Sequence, residues 1–100
     1  METEKKIKRI SLFRLKKRNN TDIQEVADKL ISMKDEIPSL IDIEVGINFS
    51  ESNEAYDVLM IATFKNIEAL REYEQDSFHL TVKNFVEGQY ENRAVVDYEF

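Results

Sequence analysis

The chain has 100 residues and a net charge of −6, from 20 acidic and 14 basic side chains. That length fits one domain, 1–100, and the acidity argues against a nucleic-acid binder, which needs a basic face for phosphates. There is no cysteine, hence no disulfide framework and no thiolate metal site.

The N-terminal stretch "METEKKIKRISLFRLKKR" is basic, but Arg9 and Arg14 interrupt any apolar run in it, so no signal peptide is expected and the cytoplasm is the expected location. Its lysines and arginines read as the solvated side of a first strand and loop. Residues 7–16, "IKRISLFRLK", alternate and are rich in branched and aromatic side chains, which predicts a strand. Thr21 and Gln24 form a capping box, and Ile23, Val26, Ala27, Leu30 and Ile31 recur at helical spacing. A helix is expected over 21–36, stopped by Pro38. Residues 40–49 alternate again, with Ile41, Ile43, Val45, Ile47 and Phe49 on one face. After the turn "SESNEA", residues 56–65 predict a third strand. Its core, "VLMIATF", is the longest kind of apolar run in the chain and far too short to span a bilayer. Asn66 can cap a short helix carrying Ile67, Leu70 and Tyr73. Ser77 can cap a second piece carrying Phe78, Val82, Phe85 and Val86, ending at Gly88. Residues 93–100 complete the set as a strand.

This order, β-α-β-β-α-β, predicts an α+β, ferredoxin-like fold: a four-stranded antiparallel sheet with helices on one face. The first and third strands are apolar on both faces, with Phe13 and Leu15 against Ile10 and Leu12, and Met60 and Phe64 against Leu59 and Ile61. Two helices shelter one face only. A second copy packed sheet to sheet is the simplest cover for the other, so a homodimer is expected.

The segments "IKRISLFRLK", "IPSLIDIEVGIN", "YDVLMIATFKNIEALREYEQDSFHLTVKNF" and "RAVVDYEF" resemble the stress-responsive alpha/beta-barrel (Dabb) family from about residue 7 to the end. The resemblance implies the same fold and a dimer whose two sheets form an α/β barrel. It also implies a stress-linked or small-molecule-binding role, since the family's functions are diverse. A plant polyketide cyclase similar to this family closes an aromatic ring without a cofactor, and its catalytic Tyr and His align with Tyr73 and His79. The chain departs from the family pattern at Arg9, where members usually carry His, and at Asp76-Ser77, where they usually read His-Pro.

The chemistry open to this pair follows from residue type. His79, the single histidine, could take a proton alpha to a carbonyl, and the Tyr73 hydroxyl could donate to the developing enolate oxygen. Arg9 could hold an anionic group, and Phe13, Phe64, Phe78 and Val82 could line an apolar cavity. The plainer readings stay open beside these. His79 sits at i−3 and i−7 from Val82 and Val86, at the border of a buried stripe; Tyr73 can be a core aromatic with a wet hydroxyl; Arg9 can pair with Asp97 or Glu99 across strands. No cofactor is expected. One histidine offers no metal-ligand spacing, two glycines build no phosphate loop, and no serine lies in a nucleophile elbow. The chain therefore reads as a homodimeric module for a small apolar or anionic ligand, or as a cofactor-independent cyclase or proton-transfer enzyme.

Overall fold

A computed structural model describes residues 5–100. Residues 1–4, the head of the basic stretch read above as lacking a signal peptide, lie outside the described residues. The elements run β1 Ile7–Leu15, α1 Asn20–Ile31, β2 Leu40–Ile47, β3 Val58–Phe64, α2 Ile67–Gln75, α3 Ser77–Glu87 and β4 Tyr90–Glu99. The strands form one sheet in the order β2-β3-β1-β4, every neighbouring pair antiparallel. This is the ferredoxin-like βαββαβ topology, with the second helix in two pieces. Among the described residues no helix is long and apolar enough to cross a membrane.

Strand alternation sets the two faces of the sheet. Ile7, Ser11, Phe13 and Leu15 of β1 are buried on the helix side, as are Val58, Met60, Ala62 and Phe64 of β3. They pack against Val26 and Leu30 of α1, Leu70 and Tyr73 of α2, and Val82 and Val86 of α3. On the opposite side Ile10 pairs with Ile61 and with Val96, and Leu12 with Leu59. Among the described residues those side chains have only one another for cover. The helices α1 and α2 rest on β2 and β3, so β4 is exposed along most of its length, Val95 at 42%.

Several boundaries differ from expectation. The first helix ends at Ile31, not 36; residues 32–36 continue as turns, with Asp35 at φ 67°, a left-handed conformation that Asp tolerates better than most residues. Met33 and Ile37 are nonetheless buried; the expected end at 36 rested on Pro38 as the stop, whereas the chain leaves the helix one turn earlier. Asn19, not Thr21, caps it: the Asn19 carboxamide oxygen accepts from Asp22 N at 2.8 Å, while Gln24 turns to Asp28. Asp76, not Ser77, caps α3, its carboxylate accepting from the backbone N–H groups of Phe78 and His79. Asn66 caps α2 as predicted, accepting from Ala69 N. In β2 the register shifts between Leu40 and Asp42, so Ile41 bulges out and is exposed, and Phe49 falls beyond the strand. The third strand starts at Val58 rather than 56, because Asp57 is spent elsewhere. Its buried carboxylate accepts from Leu15 N at 2.8 Å and from Arg18 Nε at 3.0 Å, tying the end of β1 to the loop before β3. The last strand starts at Tyr90 rather than 93, extended by a register shift opposite Arg14 and Leu15.

Candidate functional site

Since the helices sit toward β2 and β3, a gap is left between α3 and the β1–β4 half of the sheet. It is a cavity of about 280 Å³, at the small end of ligand pockets. Strand alternation aims Arg9 and Phe13 of β1 and Arg93 and Val95 of β4 at its floor. The helical repeat places His79, Val82, Lys83 and Val86 along its roof, and the end of α2 contributes Tyr73 and Glu74. Among the side chains expected at a site, Arg9, Phe13, Tyr73, His79 and Val82 therefore come together. Phe64 and Phe78 do not line the cavity. Phe64 is fully buried behind Tyr73, ring centroids 4.9 Å apart, and Phe78 packs partly buried against the core. A larger and more open hollow, about 440 Å³, lies where Leu12 and Leu59 meet the 48–57 loop, and none of the candidate residues borders it.

Tyr73 and His79 are brought together by the helix break. Asp76 ends α2 in extended conformation and caps α3, so the two side chains meet across a corner. Their rings pack at 4.1 Å between centroids and 34° between planes. They are stacked, not hydrogen-bonded to each other. The Tyr73 hydroxyl donates to Met33 Sδ at 3.9 Å, a weak acceptor. Burial pushes the phenol up to about 12, outweighing the opposing charges of Arg9 and Arg93. Burial also pushes the His79 imidazole below its ordinary value; the Glu74 carbonyl opposes this, and the positive charges of Lys83, Arg9 and Arg93 reinforce it. His79 Nδ1 is buried and no hydrogen bond of ordinary geometry satisfies it. Near neutral pH the site thus holds a protonated phenol, able to donate, beside a neutral imidazole, able to accept.

Arg9 is engaged rather than free. Its Nε and Nη2 bond the two Asp97 carboxylate oxygens at 2.8 and 3.0 Å, and Nη2 also reaches Glu74 Oε2 at 2.9 Å. The plainer reading of Arg9 named Asp97 or Glu99, and the register of β1 and β4 selects Asp97, setting Glu99 opposite Ile7 instead; Glu74, from α2, was not anticipated. The Asp97 hydrogen bond is the largest cause holding Arg9 above its usual value, and the same bond holds the Asp97 carboxyl below its own. Burial alone would raise Glu74, but hydrogen bonds from Arg71 and Arg9 outweigh it and keep the carboxyl low. Sequence reasoning missed Arg93, Ser11 and Lys83. Alternation could have found the first two, since Arg93 shares a face with Val95 and Asp97, and Ser11 lies between Arg9 and Phe13. Lys83 is one helical turn beyond His79. Among the described residues no group of three His, Asp or Glu side chains is placed to hold a metal ion.

The family model described as the stress-responsive A/B barrel domain matches residues 7–100. No curated protein matches the chain. Solved structures of the same fold include a dimeric ferredoxin-like protein of unknown function from Bacteroides fragilis, 24% identical, covering 95% of this chain and 96% of that one at TM-score 0.81. Another is a dimeric ferredoxin-like protein of unknown function from Thermobifida fusca, 19% identical over 100% of this chain and 95% of that one, TM-score 0.85. A third is a hydroxynitrile lyase from Passiflora edulis, 12% identical over 99% and 95%, TM-score 0.84.

Proposed function

This chain belongs to the stress-responsive A/B barrel domain family, and from that premise we propose that it is a single-domain homodimer that binds a small molecule in the cavity bordered by Arg9, Tyr73 and His79. The observation that carries the binding reading is His79 Nδ1, a buried imidazole nitrogen with no hydrogen bond of ordinary geometry among the described residues, on a side chain that borders a cavity lined both by apolar groups such as Phe13, Met60 and Val82 and by charged ones such as Arg93 and Lys83. A buried polar atom left unpaired is costly and is relieved by a hydrogen bond from a ligand or a water. The dimer rests on the doubly apolar strands, and on the dimeric state of the proteins from Bacteroides fragilis and Thermobifida fusca that share the fold. The chain's lack of cysteine fits the reducing cytoplasm, and neither nucleic acid nor membrane is part of the proposed function. The experiment is an NMR screen of small aromatic and carbonyl compounds, read at the methyl groups of Val82 and Val86 and at the His79 ring. Binding shifts all three. A screen in which compounds bind only elsewhere removes the cavity as the site.

A second reading is favoured by one further observation, the neutral imidazole stacked beside a protonated phenol. That pair suits cofactor-independent proton transfer, including ring closure of a small polyketide-like or aromatic compound. His79 would take a proton from carbon alpha to a carbonyl, and Tyr73 would turn from Met33 to donate to the enolate oxygen. A ketone found in the screen tests it by deuterium exchange at the alpha carbon. His79→Ala slows enzyme-dependent exchange by about a hundredfold or more if His79 is the base; unchanged exchange shows that it is not.

A further inference from the structure

We propose that the ligand of this cavity carries a carboxylate, and that Arg93 rather than Arg9 anchors it; this deepens the binding reading above and rests on it. Arg9, the residue a first-strand cation would suggest for this task, already has its fork closed on both oxygens of Asp97 and a further bond to Glu74. Glu74 is in turn held by Arg71. That cluster of two arginines and two carboxylates is neutral. The other charged groups bordering the cavity are Lys83, Arg93 and Glu87, and among the described residues none of them takes part in an ion pair. They leave one positive charge in excess.

Arg93 is built to place that charge. Its Nη2 donates to Ser11 Oγ at 3.2 Å, and Ser11 is fully buried in the middle of β1. Its guanidinium carbon lies 5.7 Å from the Phe13 ring centroid, a cation–π contact. The two contacts hold the guanidinium against the cavity floor, and among the described residues its remaining N–H donors meet no protein acceptor. A guanidinium offers a planar fork that matches a carboxylate with two parallel hydrogen bonds. A single excess charge suits a monoanion; a dianionic phosphate ester would leave one charge uncompensated close to Glu74 and Glu87. The body of such a ligand would lie over Phe13, Met60 and Val82, running toward Tyr73 and His79.

The test compares 4-propylbenzoate with 4-propylbenzamide, nearly equal in shape and different in charge, each titrated into the protein and followed by NMR at Val82, Val86 and His79. The benzoate binds at least about tenfold more tightly than the benzamide, as a charge-assisted pair predicts. Arg93→Met weakens the benzoate by about ten- to a hundredfold and changes the benzamide by less than about twofold; Arg93→Lys restores part of the loss, because it keeps the charge without the fork. If both compounds shift the cavity resonances with equal affinity, the cavity is a ligand site and the Arg93 assignment is wrong. Benzoate binding that survives Arg93→Met overturns it as well. If neither compound shifts those resonances while others in the screen do, carboxylate recognition is wrong and the binding reading stands; if no compound does, both fall together.

Discussion

Tyr73 has strong packing partners and a weak hydrogen-bonding one. Its ring lies between Phe64 and His79, and among the described residues its hydroxyl finds only the Met33 sulfur. Tyr73→Phe should therefore cost less than about 1 kcal/mol of stability, whereas Tyr73→Ala should cost about 3–5 kcal/mol, both read from urea unfolding. A phenol held at about 12 also predicts that Tyr73→Phe removes a tyrosinate absorbance step near that pH when the protein is titrated into alkali. His79 gives a pH signature of definite sign. The unfolded chain binds its proton near 6.5 and the folded protein binds it less readily, because the ring is buried. Protonation then favours unfolding, so this contribution is complete above about pH 6.5 and is lost as pH falls through that value, levelling off below the folded pKa. Glu74 and Asp97, both held low by arginine, lose theirs only below about pH 4–5. Unfolding midpoints measured between about pH 7.5 and 5.5 should fall for the wild type and stay flat for His79→Gln; parallel curves would show that His79 is not the group titrating. At this scale the sequence disclosed residue types and faces, and with them two candidate partners for Arg9, Asp97 and Glu99, between which the register of β1 and β4 selects Asp97. It did not disclose the reach of Glu74 from another element, because no periodicity within one segment reports where a helix end will dock.

Elements were legible where one face is buried and illegible at their ends. The alternation of Val58, Met60, Ala62 and Phe64 survives intact because α1 and α2 lie on it. The same alternation in 40–49 was misleading at Ile41 and Phe49, since a bulge and an early strand end depend on the partner strand and not on the segment. Caps were displaced by one or two residues for a related reason. "NNTD" and "DS" each offer neighbouring side chains of nearly equal capping ability, and only the direction of the incoming chain selects Asn19 and Asp76. The choice can be measured. Asp76→Ala should lower stability by about 1 kcal/mol or more, since its carboxylate serves two N–H groups, while Ser77→Ala should change it by no more than a few tenths of a kcal/mol. Because Asp76 also sets the corner between Tyr73 and His79, Asp76→Ala should in addition shift the His79 ring resonances, which Ser77→Ala leaves in place.

The whole molecule is a slab, 48 × 28 × 18 Å, with a radius of gyration of 14.0 Å, a little above the value of about 13 Å for a compact chain of this length. The thin dimension is one sheet plus one layer of helices. Ile10, Leu12, Leu59, Ile61 and Val96 form the uncovered side, a contiguous apolar surface that isolated domains seldom leave in water. Introducing charge at its centre, with Leu12→Lys or Ile61→Lys, should convert the proposed dimer into an 11.8 kDa species by sedimentation without loss of helical circular dichroism, because neither side chain contributes to the helix-side core. A wild-type chain that sediments as a monomer at micromolar concentration would remove the dimer altogether. On the proposed reading the two faces of the slab have separate duties, one toward a ligand and one toward a second copy. The cavity, with Arg93 and Val95 in its lining, lies on the side of the sheet away from that apolar surface, so on the proposed reading a guest would bind without touching the face where the subunits meet. Ligand affinity and self-association should accordingly be thermodynamically independent: dilution until the pair dissociates should leave each half with an undiminished grip on its guest, and saturating guest should leave the dissociation constant of the pair where it was.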